Sequence, residues 1–165
     1  MVVFTGIHVG VYDVDPALVF EAATRPELLS RWTIGEFENV RVKSGAQFAR
    51  GSRFLADEVL AEGASEMDHL YEVIKYEPAR AFAVRCIDGP HFVGELQLQA
   101  RDGQTQISWI RSAAPSRLFD RVMCVVLYAK TRRDTHQHAE REVGKLVASA
   151  KGLRKPEASD RGPND

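Results

Sequence analysis

Residues 92–112, FVGELQLQARDGQTQISWIRS, alternate apolar and polar side chains on either side of the dipeptide Asp102-Gly103. This alternation predicts two β-strands that each bury one face. Asp-Gly favours a two-residue hairpin turn, which sets Arg101 opposite Gln104 and fixes the register of both strands. One face is then apolar and is expected to point into the core. Its cross-strand pairs are Leu98 with Ile107, Leu96 with Trp109, and Gly94 with Arg111.

Arg111 stands out in this inward set because it carries a charge. A buried arginine needs a partner, and the missing side chain of Gly94, directly opposite, is expected to leave room for one. We therefore predict that Arg111 lines a ligand site whose walls include Leu96, Leu98 and Trp109.

The strand before this hairpin has two acceptable registers, which differ in the length of the loop at Gly89-Pro90. A loop of two or four residues sets Gly94 beside Arg85, so that Arg85 joins Arg111 at the ligand site. A loop of three residues instead turns a more hydrophobic set inward, namely Phe82, Val84 and Cys86. The sequence leaves both registers open.

The turn at Pro78-Ala79 poses the same question one strand earlier. With two residues in the turn, Glu72 lies against Arg85 as an internal ion pair. With three, the inward residues are Tyr71, Val73 and Lys75. Either Glu72 or Tyr71 then belongs to the pocket wall.

The first strand lies within residues 2–14, and its two faces differ in polarity. One face carries Val3, Ile7, Val9 and Val11 and is predicted to be the core face. The other carries His8 and Tyr12 and is predicted to be exposed or at an edge. Apolar residues on the weaker face of this strand hint at pairing with a second copy of the chain.

Turn residues and periodicity predict the remaining elements. Asp15-Pro16 and Arg25-Pro26 each begin a short helix, and one helix of about 35 residues follows Pro115. The strands between them are 37–42, 52–61, 66–76, 81–87, 92–100 and 105–112. Short turns between consecutive strands indicate an antiparallel meander. The predicted fold is α+β: a curved antiparallel sheet of about seven strands, two short helices after the first strand, and a long C-terminal helix over a cavity.

The long helix has an apolar stripe that two polar residues interrupt. Heptad spacing predicts that the stripe contains Leu118, Val122, Val125, Ala139, Val143, Leu146 and Ala150. Arg132 and His136 fall on it and are predicted to face the cavity, whereas His138 and Glu142 are predicted to be solvated. His136 and Glu140 are four residues apart, but a metal site usually needs a third protein ligand, so we expect no metal here.

Length, charge and composition limit the function classes. The chain has 165 residues and a net charge of −1, which suits one domain and argues against nucleic-acid binding. Neither an apolar run long enough for stable membrane insertion nor a secretory signal is visible, and Cys86 and Cys124 have no CxxC spacing. We therefore expect a cytoplasmic protein, with one domain over 1–151 and a disordered tail over 152–165.

Several segments resemble the START-like (helix-grip, SRPBCC) superfamily, and within it the polyketide cyclase/dehydrase and lipid-transport branch. The resemblance covers roughly residues 7–150. It is carried by Val14-Asp-Pro-Ala-Leu-Val-Phe20, Thr24-Arg-Pro-Glu-Leu-Leu-Ser-Arg-Trp32, Gly51-Ser-Arg-Phe54, Tyr71-Glu-Val-Ile-Lys-Tyr-Glu-Pro-Ala-Arg80 and Gly103-Gln-Thr-Gln-Ile-Ser-Trp109. These motifs are structural rather than catalytic.

The resemblance implies a small hydrophobic or polyketide-like ligand and no cofactor. In an aromatase/cyclase-like enzyme, Arg111 would stabilise enolate charge and His136 would act as acid or base. In a lipid or hydrophobic-ligand carrier, the same groups would only anchor the polar end of the ligand, and in a co-chaperone-like domain the partner would be a protein. The predicted pocket residues are Arg85, Arg132, Trp109, Leu96, Leu98, Gly94, Phe92, Tyr71, Glu72 and Trp32.

Overall fold

A computed structural model describes residues 3–33, 37–43, 47–59, 65–89, 91–114 and 128–153. The strands and helices follow one another in the predicted order. They are β1 (Phe4–Tyr12), α1 (Pro16–Thr24), α2 (Pro26–Trp32), β2 (Glu38–Val42), β3 (Arg53–Val59), β4 (Ser65–Glu77), β5 (Ala81–Cys86), β6 (His91–Arg101), β7 (Gln104–Ala114) and α3 (Tyr128–Leu153).

Within these ranges the strands form one seven-stranded antiparallel sheet in the order β1-β7-β6-β5-β4-β3-β2. Strands β2 to β7 are a meander, because each pairs antiparallel with its neighbour in sequence. Strand β1 then pairs with β7 at the far side. The predicted α+β helix-grip fold is confirmed.

The helices begin where the sequence predicts. Asp15 Oδ1 accepts a hydrogen bond of 2.7 Å from the Ala17 N–H, and a proline occupies the first turn of both α1 and α2. Helix α3 packs against β1 and against both short helices. No helix in the described part of the chain is long and apolar enough to cross a membrane.

The C-terminal half of α3 carries the predicted apolar stripe. Ala139, Val143, Leu146 and Ala150 are all fully buried. The helix continues to Leu153, so residues 152 and 153 belong to it and not to the predicted tail. The rest of that tail, 154–165, and the stripe residues predicted at 118, 122 and 125 lie outside the described residues.

The core lies between the inner face of the sheet and the helices, and aromatic rings fill much of it. Trp32 of α2 meets Trp109 of β7 edge to face, with ring centroids 5.2 Å apart. Phe37 makes similar contacts with Tyr71 and Phe92, at 4.8 and 5.8 Å. Such geometry is the favoured arrangement of aromatic pairs.

The register between β5 and β6 follows the three-residue alternative. The β6–β7 register is the predicted one, with Gly94 opposite Arg111. Between β5 and β6, Val84 lies opposite Gly94 and Arg85 opposite Val93. Phe82 and Val84 are therefore buried, and Arg85 is exposed.

A register shift in β4 explains why neither turn length predicts the inward residues of this strand correctly. Three residues separate Glu77 from its partner Ala81, but the register shifts between Val73 and Lys75. The extra residue changes which face the strand presents. Tyr71 and Val73 are buried as the three-residue turn predicts, whereas Lys75 lies on the outer face and contacts Glu95.

The predicted orientation of β1 is wrong. Ile7, Val9 and Val11 are 47%, 56% and 49% exposed. Residues directly opposite in an antiparallel pair share a face, and β1 sets Gly6 and His8 opposite the inward residues Arg111 and Trp109. The glycine is needed there, because a Cβ at Gly6 would lie 2.6 Å from the backbone oxygen of Thr135 in α3.

Candidate functional site

A buried charged cluster joins β7 to α3 on the inner side of the sheet. Arg111 of β7 is 9% exposed and Glu142 of α3 is fully buried. Glu142 Oε2 accepts a hydrogen bond of 2.7 Å from Trp109 Nε1 and lies 3.7 Å from Arg111 Nη1. Glu142 Oε1 lies 3.4 Å from His138 Nε2. We call these four residues, Arg111, Trp109, Glu142 and His138, the Arg111–Glu142 cluster.

Burial and charge act on Arg111 in opposite directions. Desolvation lowers the pKa of the guanidinium, and the nearby carboxylate of Glu142 raises it. An arginine stays protonated under such conditions, and the guanidinium carbon lies 6.0 Å from the centre of the Phe92 ring. The cluster thus holds a positive charge against an aromatic surface, where an anionic or carbonyl oxygen would be attracted to it.

The members of the cluster differ in their exposure to solvent. The side chain of His138 is 28% exposed, that of Arg111 is 11% exposed, and that of Glu142 is not exposed at all. Glu142 therefore links two side chains that each keep some exposed surface. An imidazole has one ring nitrogen that can accept a proton and one that can donate it.

Gly94 serves a different purpose from the predicted one. A Cβ at Gly94 would lie 2.6 Å from Trp109 Cη2 and 3.3 Å from Phe92 Cζ. The missing side chain therefore makes room for the Trp109 ring and not for a partner of Arg111. The partner, Glu142, comes from the helix.

The predicted wall residues lie on the inner face. All are buried and belong to the same apolar cluster: Trp32, Tyr71, Phe92, Leu96, Leu98 and Trp109. Trp32 Nε1 is buried and has no hydrogen-bond partner among the described residues. Its indole N–H is a second polar group on this side of the sheet.

His136 and Arg132 do not lie in this inner site, contrary to prediction. His136 Nδ1 is 3.0 Å from the backbone oxygen of Ile7 and 3.2 Å from its nitrogen. Both residues line an outer groove of about 370 Å³ between α3 and β1. The orientation of α3 about its own axis explains this. The helix face that carries Ala139, Glu142 and Leu146 points inward. The neighbouring face, which carries His136, therefore contacts β1.

Arg85 and Glu72 form the predicted ion pair on the opposite face of the sheet. Arg85 donates to Glu72 Oε2 from Nε at 3.0 Å and from Nη2 at 2.6 Å. The Arg85 side chain is 55% exposed. Neither residue lines the inner site, because the β4 register shift and the β5–β6 register together place this pair outside.

The sequence predicted Glu142 and His138 to be solvated and so missed both, but Glu142 is fully buried and the His138 side chain is only 28% exposed. One signal was present: Glu142 lies three residues after Ala139 and four before Leu146, a spacing that places all three on one helix face. An inward arginine on β7 also required a carboxylate from an element packed over it. Combining the two points would have singled out Glu142.

Comparison with known proteins rests on structure alone, since the sequence matches no family model and no curated protein. The solved structure of TTHA0849 from Thermus thermophilus is similar with a TM-score of 0.68 at 12% identity, over 92% of this chain and 99% of that one. Ara h 8.0201 gives a TM-score of 0.57 at 16% identity, over 92% and 97%. The di-domain ARO/CYC StfQ from the steffimycin biosynthetic pathway gives 0.68 at 9% identity, over 92% of this chain and 51% of that one.

These similarities show the fold. The chain adopts the START-like helix-grip fold. Similarities at sequence identities this low do not assign a role to any individual residue of this chain.

Proposed function

We propose that the protein binds an apolar small molecule with a carbonyl-bearing end, and that it promotes ring closure and loss of water in the manner of a polyketide cyclase/aromatase. One observation carries the proposal: the Arg111–Glu142 pair is charged, whereas the other buried side chains of the described residues are apolar or threonine. A buried ion pair is often no more stable than apolar side chains of the same size. Charges in such a position are therefore better explained by binding or chemistry than by stability.

The proposed reaction needs a base, an acid and a stabiliser of negative charge. His138 removes a proton from a methylene between two carbonyl groups, and the resulting enolate is stabilised by Arg111. The enolate carbon attacks a second carbonyl of the same chain and forms a carbon–carbon bond. The new alkoxide takes up the proton from His138 and becomes a hydroxyl group. His138 then removes a second proton from the carbon next to it, the hydroxyl leaves with that proton as water, and a carbon–carbon double bond forms in the ring. No oxidant or reductant takes part.

Within this scheme Glu142 is a positioning residue. Its two oxygens face Arg111 and Trp109 on one side and His138 on the other. It therefore fixes the guanidinium and the imidazole relative to each other. His138 takes the acid–base role that the sequence had assigned to His136, because His136 lies outside the inner site.

A carrier without chemistry is the second candidate. It is favoured by the complete burial of Glu142 and by the presence of a partner at each of its oxygens. A carboxylate satisfied in this way can simply compensate the charge of Arg111 while that charge anchors the polar end of a ligand. The apolar walls serve either function equally well.

Turnover and binding measured in parallel separate the two candidates. We expect Arg111→Lys and His138→Gln to lower the turnover of a poly-β-keto thioester by about 10²–10³-fold, with ligand affinity changed less than about tenfold. The matched controls are Arg85→Lys and His136→Gln, which alter the same residue types outside the inner site and should keep full turnover. Equal turnover in all four variants would contradict the proposed enzymatic function and would favour the carrier function.

The proposal also includes a cytoplasmic location and self-association through the outer face of β1. That face carries Ile7, Val9 and Val11, each about half exposed. The sequence hinted at pairing with a second copy through the weaker face of this strand, and the proposal transfers the contact to the valine face because that face is exposed.

A further inference from the structure

Three side chains that the proposed reaction does not use converge where β4 and β5 meet the turn before β6. His69 of β4, Cys86 of β5 and Asp88 of the turn each offer one atom that can bind a metal. These three atoms lie within 4.8 Å of one another, and His69 Nδ1 is 3.8 Å from Asp88 Oδ1. An imidazole, a thiol and a carboxylate together make a mixed donor set.

The strand register brings these residues together. Tyr71 lies opposite Cys86, and the same register two residues further on sets His69 across from Asp88. The turn is held in place because the Ile87 N–H donates to the Leu70 carbonyl at 2.7 Å. The Leu70 N–H donates to Asp88 Oδ1 at 2.7 Å, which orients the carboxylate as outer hydrogen bonds commonly orient metal ligands.

Gly89 keeps the space between the donors open. A Cβ at this position would collide with Nδ1 of His69 and would lie 2.9 Å from Cys86 Sγ. The turn therefore passes close to both side chains, and any side chain at position 89 would collide with the donor atoms. The side chain of Asp88 is 51% exposed, so an ion can enter from solvent.

We propose that His69, Cys86 and Asp88 bind a divalent transition metal of the zinc class, with a fourth coordination position left for solvent or an added ligand. Zinc binds sulfur, nitrogen and oxygen at roughly 2.0–2.3 Å, which sets neighbouring donor atoms about 3.3–3.8 Å apart in a tetrahedral site. The His69–Asp88 distance already falls at the top of this range. A thiolate and a carboxylate would also neutralise the two charges of the ion.

The donor set selects the metal. A thiolate and an imidazole favour zinc, cobalt and similar ions over magnesium or calcium, which prefer oxygen ligands. Three protein ligands with one open position resemble catalytic rather than closed structural zinc sites.

The test uses the full, untagged chain after treatment with a chelator. ZnCl₂ is titrated by calorimetry, and CoCl₂ is followed by absorption because a thiolate ligand gives a near-ultraviolet charge-transfer band. We expect one ion per chain and a clear band. Cys86→Ser should remove the band, and His69→Ala and Asp88→Asn should each weaken binding by about tenfold or more.

Two controls keep the test specific. Cys124→Ser and His91→Ala change the other cysteine and a nearby exposed histidine and should leave binding and the band unchanged. Asp88→Asn alters an exposed side chain, so its effect can be measured even if Cys86→Ser fails to fold. Absence of stoichiometric binding in the wild type, or binding that survives all three site variants, would overturn the proposal.

Discussion

Glu142 shows how one buried side chain can organise several others. It is fully buried, accepts a hydrogen bond from Trp109 and faces both Arg111 and His138. A carboxylate in that position is stable only because these partners compensate for its lost hydration. Removal of any one partner should therefore be felt through the others.

The first prediction concerns the stability of the ion pair. Arg111→Met and Glu142→Leu should each lower the free energy of unfolding by about 3–5 kcal/mol, because each leaves a buried charge uncompensated. The double variant should recover most of this loss, since two apolar side chains of similar size need no compensation. Urea unfolding of all four proteins measures the coupling, and losses that simply add in the double variant would contradict it.

A second prediction at the residue scale concerns Tyr12. Its hydroxyl lies 2.6 Å from His8 Nε2, and burial, together with the charge of Glu140, raises its pKa. The unfolded chain then loses this proton at a lower pH than the folded protein does. Stability should consequently fall as the pH rises above about 10, the ordinary tyrosine value.

Tyr12→Phe removes the ionisable group and should reduce that fall. The measurement is urea unfolding of both proteins from pH 8 to 11, with the ionisation of the tyrosines followed by ultraviolet absorption. An identical loss of stability in Tyr12→Phe and in the wild type would show that other groups cause it.

Among the elements, β4 and α3 decide which residues reach the inner face. The register shift between Val73 and Lys75 places Tyr71 inside and the Glu72–Arg85 pair outside. The rotation of α3 likewise turns Glu142 inward and His136 toward β1. In each case a displacement of one residue within an element reassigns a side chain from one surface to another.

The contact between α3 and β1 gives a prediction with an internal control. Gly6→Ala would place a Cβ 2.6 Å from the Thr135 backbone oxygen, so it should destabilise the protein by about 1–3 kcal/mol. Gly144→Ala adds a Cβ within α3 that meets nothing within 4 Å. It should stabilise by about 0.5–1 kcal/mol, because alanine suits a helix interior better than glycine does.

Thermal and urea unfolding of both glycine variants provide the check. Opposite signs of the stability change are expected. Destabilisation of similar size at both positions would contradict the prediction that the backbone at Gly6 is packed more tightly than the backbone at Gly144.

At the scale of the whole molecule, the sequence correctly predicts the features that depend on a few adjacent residues. Asp102-Gly103 fixes the β6–β7 register, and Asp15-Pro16 fixes the start of α1, because turn and cap preferences depend on a few adjacent residues. The orientation of β1 depends instead on the helix that packs over Gly6. Hydrophobicity alone favoured the valine face, although apolar side chains are common on protein surfaces.

The candidate site was only partly predictable for the same reason. Arg111 follows from the hairpin register, but its partner Glu142 depends on how α3 is rotated. The orientation of α3 about its axis depends on its contacts with β1, α1 and α2. The spacing of apolar residues within the helix does not reveal these contacts. His69, Cys86 and Asp88 come together through a register that the turn rules left open.

Self-association is a prediction for the molecule as a whole. If the outer face of β1 pairs with a second copy, Val9→Lys should shift the protein toward monomer, because Val9 is 56% exposed at the centre of that face. Ile87→Lys, which changes a 44% exposed apolar residue elsewhere, is the matched control. Sedimentation equilibrium over a range of concentrations measures the effect. A wild-type protein that is monomeric at every concentration would contradict the proposed self-association.

The contact of His136 with the backbone of Ile7 also has a consequence for aggregation. Strand β1 ends the sheet on one side, and His136 engages the Ile7 backbone that another chain would otherwise pair with. On the other side β2 is short, and its register with β3 is interrupted near Asn39, whose φ is 48°. Both borders of the sheet are thus poor templates for strand addition, which is how natural proteins avoid polymerising into fibrils.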